Sequence, residues 1–199
     1  MFKKFILSAM LILTLNFQQL NAKDPFQIYG DIFQFLPLMV AIYPMAIQDW
    51  KGVGQLAIGT GSTLAITYIS KLSFAAIAVK HPDWAAISRR PDGTGYNGFP
   101  SGHTASAFSA AGFMQRRYGW QWGVPTTILA TLVGASRVTS KRHSITQVIV
   151  GAILGYGISY LVTSKYVSPN TNVQINIDNE TLDNGAENNS ISFNIYHRF

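Results

Sequence analysis

Beyond residue 30 the chain repeats one pattern five times: an apolar run of 11 to 18 residues, then a break carrying charge, glycine or proline. The runs are residues 32–47, 53–70, 104–114, 122–135 and 145–162. Each is at or slightly below the ~20 residues a helix needs to cross the hydrocarbon core of a bilayer. The first contains Pro37 and Pro44 and should be kinked. The second is rich in Gly, Ala and Thr and the third in Ala, Ser and Gly, the composition of closely packed membrane helices. The runs therefore imply a compact all-α bundle, with a buried soluble helical core as the competing reading. Composition favours the membrane: 12% of residues are charged, against about 25% in soluble domains.

Residues 1–22, "MFKKFILSAMLILTLNFQQLNA", place Lys3 and Lys4 before an apolar run that ends near Ala22. This segment is either a signal peptide or a first membrane helix. Counting it gives a six-helix transmembrane bundle. With Lys3 and Lys4 in the cytoplasm, six crossings put Lys51, Arg116, Arg117 and Lys165 on the same side, as the positive-inside rule asks. Lys71, Lys80, Arg89, Arg90, Arg137, Lys141 and Arg142 then fall on the outer face, against the rule. Charges that break an orientation rule need another task, and binding an anion is the natural one. Residues 93–177 hold no Asp or Glu, which suits an anionic ligand or anionic lipid headgroups equally. The chain has no cysteine, so it can form no disulfide, thiolate metal site or cysteine nucleophile.

The organisation expected is a leader or first helix at 1–22, a helical domain at 23–164 and a polar, Asn-rich tail at 165–199. In the tail, Val173, Ile175 and Ile177 alternate with polar residues, as do Ile191, Phe193 and Ile195. Two short strands around Asn184–Gly185 fit that pattern; so does disorder.

Three clusters carry the chemistry. In "SRRPDGTGYNGFPSGH", Arg90 precedes Pro91 and offers a permanently charged fork suited to phosphate oxygens. In Pro100–Ser101–Gly102–His103, Ser101 is placed to cap a helix, Gly102 admits a ligand close to the backbone, and the first-turn amides suit an anion. In "SRVTSKRHSITQ", Arg137 and His143 lie six residues apart. The helices after His103 and before Ser136 are each about 22–24 Å long at 1.5 Å per residue. Joined by a short turn, they return Arg137 to the face that carries His103, with Arg90 and His143 beside them and no acid between. His81 and His197 lack such company and read as ordinary surface residues.

These motifs resemble the type 2 phosphatidic acid phosphatase superfamily over roughly residues 53–163. That pattern is a Lys, then Arg-Pro, then Pro-Ser-Gly-His, then Ser-Arg-x5-His-x3-Asp. Arg90–Pro91, Pro100 to His103, and Ser136, Arg137 and His143 match it. Two positions depart. Asp83 stands where the family lysine usually falls, so Lys71 is taken as its match and Lys80 as the alternative. Gln147 replaces the final Asp, which in the family orients the nucleophilic histidine.

The resemblance implies that His143 attacks phosphorus to form a phosphohistidine and that His103 protonates the leaving oxygen. It also implies that Lys71, Arg90, Arg137 and the amides near Ser101 and Gly102 hold the phosphoryl oxygens. Gln147 would accept a hydrogen bond from His143, and Gln147→Asp is expected to be tolerated or faster if the shorter side chain reaches. No metal or other cofactor is implied, and nucleic acid is not a partner. The implied substrate is a phosphorylated membrane lipid, with lipid A first because of the many outer-face cations. Undecaprenyl diphosphate and phosphatidylglycerol phosphate are the alternatives, and a non-catalytic lipid-binding membrane protein is the reading of another class. The implied location is the bacterial inner membrane, multi-pass, with the site facing the periplasm.

Overall fold

A computed structural model describes residues 24–167, 171–181 and 187–197. The expected leader or first helix at 1–22 lies outside the described residues.

Helix α1 (Pro25–Phe33) starts at Asp24, whose carboxylate accepts the Phe26 N–H at 2.8 Å, with proline at the first helical position. The run that follows is broken into α2 (Leu36–Val40) and α3 (Ile42–Ala46). Pro37 has no N–H to give the carbonyl four residues back, so α1 ends and the chain bends by 55° into α2–α3. The kink expected from the prolines is thus a set of breaks.

Helix α4 (Trp50–Lys80) has 31 residues and is capped by Asp49, which accepts the Gly52 N–H at 2.9 Å. It starts earlier and ends ten residues later than the apolar run 53–70, so Lys71 lies well inside a helix. After a short 3-10 turn at Ala86–Ser88, helix α5 (Gly102–Tyr118) and helix α6 (Trp120–Thr139) follow. They meet at Gly119, whose φ of 87° lies in the left-handed region that glycine adopts without strain. Helix α7 (Ile145–Val162) opens with a capping box between Ser144 and Gln147.

Helix α5 is the buried centre of the bundle, packed against α4, α6 and α7. Its Ala107, Ala110 and Ala111 join Leu36, Ala130 and Val133 in one apolar cluster, and Phe113 and Met114 join Leu56 in a second. Small residues suit this place because neighbouring backbones come close. A Cβ at Gly155 of α7 would overlap the Ala105 carbonyl of α5.

Among the described residues, α4 (mean hydropathy 1.5) and α7 (1.7) are long and apolar enough to cross a membrane. The bent pair formed by α1 and α2–α3 is a third candidate. Helices α5 and α6 are outside that set: α5 turns its small and hydroxyl residues to its neighbours rather than to lipid.

Arg117 differs from the expected surface charge. It is buried and bonded through Nε to Asp49 Oδ2 at 2.7 Å, while Tyr118 donates to the same oxygen at 2.6 Å. A paired charge contributes little to a count of free surface cations.

The chain divides into two compact units after Lys165. The second unit contains β1 (Thr171–Thr181) and β2 (Glu187–His197), an antiparallel pair. Val173 is opposite Ile195, Ile175 opposite Phe193 and Ile177 opposite Ile191, so the two alternating patterns are in register. The tail is a hairpin with strands longer than the alternation alone suggested; Asn184 and Gly185 lie outside the described residues.

Candidate active site

The first turn of α7 is built around Gln147, which is fully buried. Its Oε1 accepts from His143 Nδ1 at 3.0 Å and from the Ser144 backbone N–H at 3.2 Å. Its Nε2 donates to the carbonyls of Ile87 and Arg89, at 2.9 and 3.0 Å. Its own backbone carbonyl accepts the Ser101 N–H at 2.9 Å. One residue therefore joins all three motif clusters. The bond to Gln147 engages Nδ1 and leaves Nε2 as the other ring nitrogen of His143.

His143 lies in the connection between α6 and α7 and is 4% exposed. Burial, with the charge of Lys71 adding to it, pushes its pKa down from the usual 6.5 to about 4, against the bond from Gln147. The ring is neutral at physiological pH, the state a nucleophile requires.

A cavity of about 600 Å³ opens beside this ring. Lys71, Arg90, Arg137 and Arg142 supply cations to it, and His103 and His143 line it too. Asn97 sets two of those cations: its backbone carbonyl accepts from Lys71 Nζ and its Oδ1 from Arg90 Nε, both at 2.7 Å. Lys80 does not line the cavity, so of the two lysines considered it is Lys71 that the fold brings in.

Ser101 occupies the N-cap position of α5 without capping it. Its hydroxyl pairs with Thr104 Oγ1 at 2.9 Å, its amide is used by Gln147, and it is fully buried. Ser101 is thus scaffolding behind the cavity, while Gly102 lines it.

The expectation of a pocket without acid is overturned by Asp31, on α1. Its Oδ1 is 2.7 Å from Arg137 Nη1 and 3.2 Å from His103 Nε2. Arg137 also donates from Nη2 to the Gln27 carbonyl at 2.6 Å and from Nε to Ser136 Oγ at 3.2 Å. The approach of α1 depends on Gly30, where a Cβ would collide with Ser136 Oγ and the Arg137 guanidinium. Gln27 and Gln34, one helical turn either side of Asp31, line the cavity as well. The signal in the sequence was that Asp31 is the lone carboxylate between Asp24 and Asp49, inside apolar surroundings. An ionisable residue in such a setting is a functional candidate by default.

A helical chain with membrane-length apolar helices and a basic, two-histidine cavity is built to act on a phosphate-like anion. The chain belongs to the PAP2 superfamily, which its residues 52–170 match. It is 41% identical over 139 residues to the lipid A 4′-phosphatase of Helicobacter pylori strain J99, an alignment covering 69% of each protein. It is 28% identical over 141 residues to the lipid A 1-phosphatase of Helicobacter pylori strain 26695, covering 68% of each. The crystal structure of Aquifex aeolicus LpxE has the same fold, with a TM-score of 0.50 at 18% identity over 71% of this chain and 88% of that one.

Proposed function

We propose that this chain removes a phosphate from a lipid A-type glycolipid at the periplasmic face of the bacterial inner membrane, through a phosphohistidine. Membership of the PAP2 superfamily and the lipid A phosphatases among its relatives make it a phosphatase acting on a lipid phosphate. The 41% identity to a 4′-phosphatase extends over 139 residues, whereas the 40% identity to the lipid A 1-phosphatase of Porphyromonas gingivalis extends over 84, and the longer match favours the 4′ position.

The observation that carries the lipid reading is a path from charge to hydrocarbon. The basic cavity shares Gln34, Tyr68, Lys71, Gly102 and His103 with a second cavity of about 670 Å³, whose walls continue along Phe35, Leu38 and Leu64. That cavity shares Pro37, Leu38, Thr60 and Leu64 with a third, of about 280 Å³, reaching Met45 and Leu56. The groove runs between α2–α3 and α4. A phosphate ester in the basic end thus has an apolar groove for its chain.

In the first step His143 Nε2 forms a bond to phosphorus as the bond to the leaving oxygen breaks. His103 gives that oxygen its proton. Lys71, Arg90 and Arg137 stabilise the charge that builds on the remaining oxygens, which is most of what phosphoryl transfer requires. In the second step neutral His103 takes a proton from water, the water oxygen bonds to phosphorus, and the N–P bond breaks. The six-crossing arrangement, counting residues 1–22 as either leader or first helix, and the helical domain 23–164 belong to this proposal.

The test is mass spectrometry of lipid A from cells expressing the chain or its His143→Ala variant. The wild-type chain should remove one phosphate, assigned to the 4′ position by fragmentation, and His143→Ala should remove none. An unchanged phosphate number with the wild-type chain, or full activity in the variant, would sink the proposal.

A further inference from the structure

We propose that Asp31 is the positioning residue for the general acid, so that each catalytic histidine has its own partner: buried, neutral Gln147 for His143 and half-buried, charged Asp31 for His103. The inference rests on the phosphatase reading above and extends it to a residue that no motif contains.

The two histidines have opposite requirements. The nucleophile must be unprotonated when it attacks, and the acid must be protonated when the leaving oxygen departs. Gln147 Oε1 accepts from His143 Nδ1 and brings no negative charge to the ring. Asp31 Oδ1 sits 3.2 Å from His103 Nε2, and a carboxylate stabilises the protonated ring. Burial and the surrounding cations push both rings toward the neutral form, and Asp31 is the group that opposes this at His103.

The charge matters because the surroundings of His103 are cationic. It is faced by Lys71 from α4, Arg137 from α6, Arg90 from the segment before α5, and Arg142 and His143 from the connection between α6 and α7. All but neutral His143 oppose a second positive charge on the ring; Asp31, from α1, is the carboxylate that favours it.

The geometry is fixed on several sides. Arg137 Nη1 holds Asp31 Oδ1 at 2.7 Å, the Gln27 carbonyl holds Arg137 Nη2, and Gln34 Nε2 donates to the Asp31 backbone carbonyl at 2.8 Å. With Nε2–H directed to Asp31, the proton that reaches the leaving oxygen comes from Nδ1. The P–O bond breaks as the N–P bond to His143 forms, and that proton ends on the departing alcohol. Neutral His103, still held by Asp31, then receives a proton from water in the second step.

The test is Asp31→Asn in the full chain in detergent, with two phosphate esters. Asn keeps an oxygen for Arg137 and His103 and removes the charge. p-Nitrophenyl phosphate releases an acidic phenol that leaves without a proton, whereas a short-chain alkyl phosphate lipid releases an alkoxide that needs one. Turnover of the alkyl ester should fall roughly ten-fold, the difference between a charge-assisted and a neutral hydrogen bond. Compared as kcat/KM, which reports the steps up to departure of the leaving group, the p-nitrophenyl ester should lose several-fold less than the alkyl ester, since any change passed to Arg137 acts on both. A misfolded fraction lowers both rates equally, so the ratio of the two is the readout. An unchanged ratio would overturn the proposal. No turnover of either ester by the wild-type chain would overturn the phosphatase reading, and the pairing with it.

Discussion

Replacing Gln147 by the Asp of the superfamily pattern tests how the proposed nucleophile His143 is held, and the hydrogen bonds around Gln147 argue for a slower enzyme rather than a tolerated or faster one. Asp offers His143 a charged acceptor, which by itself should help. But the amide nitrogen of Gln147 donates to the Ile87 and Arg89 carbonyls at 2.9 and 3.0 Å in a fully buried position. A carboxylate has no proton for either carbonyl. A polar group buried without its partner costs about 1–3 kcal/mol, less where water reaches it, and these bonds are part-buried, so Gln147→Asp should lose on the order of 2 kcal/mol of stability. Asp is also one methylene shorter, which draws the acceptor away from His143 Nδ1, now at 3.0 Å. A misplacement of about 1 Å at a reacting group costs on the order of 100-fold in rate. Against this, charge assistance returns about 1–2 kcal/mol, roughly ten-fold. The balance is a turnover lower by about ten-fold and a visibly lower Tm. Both are read on detergent-purified chain, by phosphate release from a lipid phosphate and by thermal unfolding. An Asp variant as stable and as fast as the wild type would refute the argument, by showing that the two carbonyls find other donors.

Two further outcomes follow from the geometry. The folded chain holds His143 neutral down to about pH 4, while an unfolded chain takes up that proton near 6.5, so folding stability should fall as pH drops through this window. The loss of Tm between pH 6.5 and 4 should be smaller in His143→Gln, and an identical loss would remove the buried neutral ring from the account. For orientation, single cysteines at exposed Asp83 and Lys51 of this cysteine-free chain should label oppositely with an impermeant reagent in intact spheroplasts, Asp83→Cys reacting and Lys51→Cys not. Asn97 is unsuitable for such a probe because it holds Lys71 and Arg90. Equal labelling of both sites would refute the proposed topology.

The convergence of His103 and Arg137 was legible because it follows from helix length alone. Helices α5 and α6, of 17 and 20 residues, nearly match, and Gly119 turns one back along the other. Arg90 and His143 came with them because short connections leave little freedom. Partners supplied by a distant element were not legible. Asp31 precedes Arg137 by 106 residues, and no spacing rule says that α1 will dock on α6. Ser101 has the side chain of a capping residue, yet its hydroxyl and amide are taken by Thr104 and Gln147, a competition visible only once α7 is in place. Arg116 and Arg117 look alike in sequence, but Arg116 lies over the Tyr160 ring while Arg117 is buried with Asp49. Helical rotation separates them, and sequence assigns rotation poorly where apolar and small residues surround the helix on all sides.

The 31 residues of α4 have a consequence for the height at which chemistry takes place. At 1.5 Å per residue the helix is about 46 Å long, roughly 16 Å more than the ~30 Å hydrocarbon layer. From Trp50 to Lys71 is about 32 Å on the same scale. With Trp50 at one boundary of the hydrocarbon, Lys71 emerges at the other, from where its long side chain reaches into the headgroup layer. On the proposed function, a lipid phosphate then meets Lys71 by sliding sideways within its own leaflet. It need not be lifted, which would expose chain methylenes at about 0.8 kcal/mol each. In this geometry α4 is a ruler: its length between Trp50 and Lys71 matches the depth of the site to the plane in which the substrate already lies.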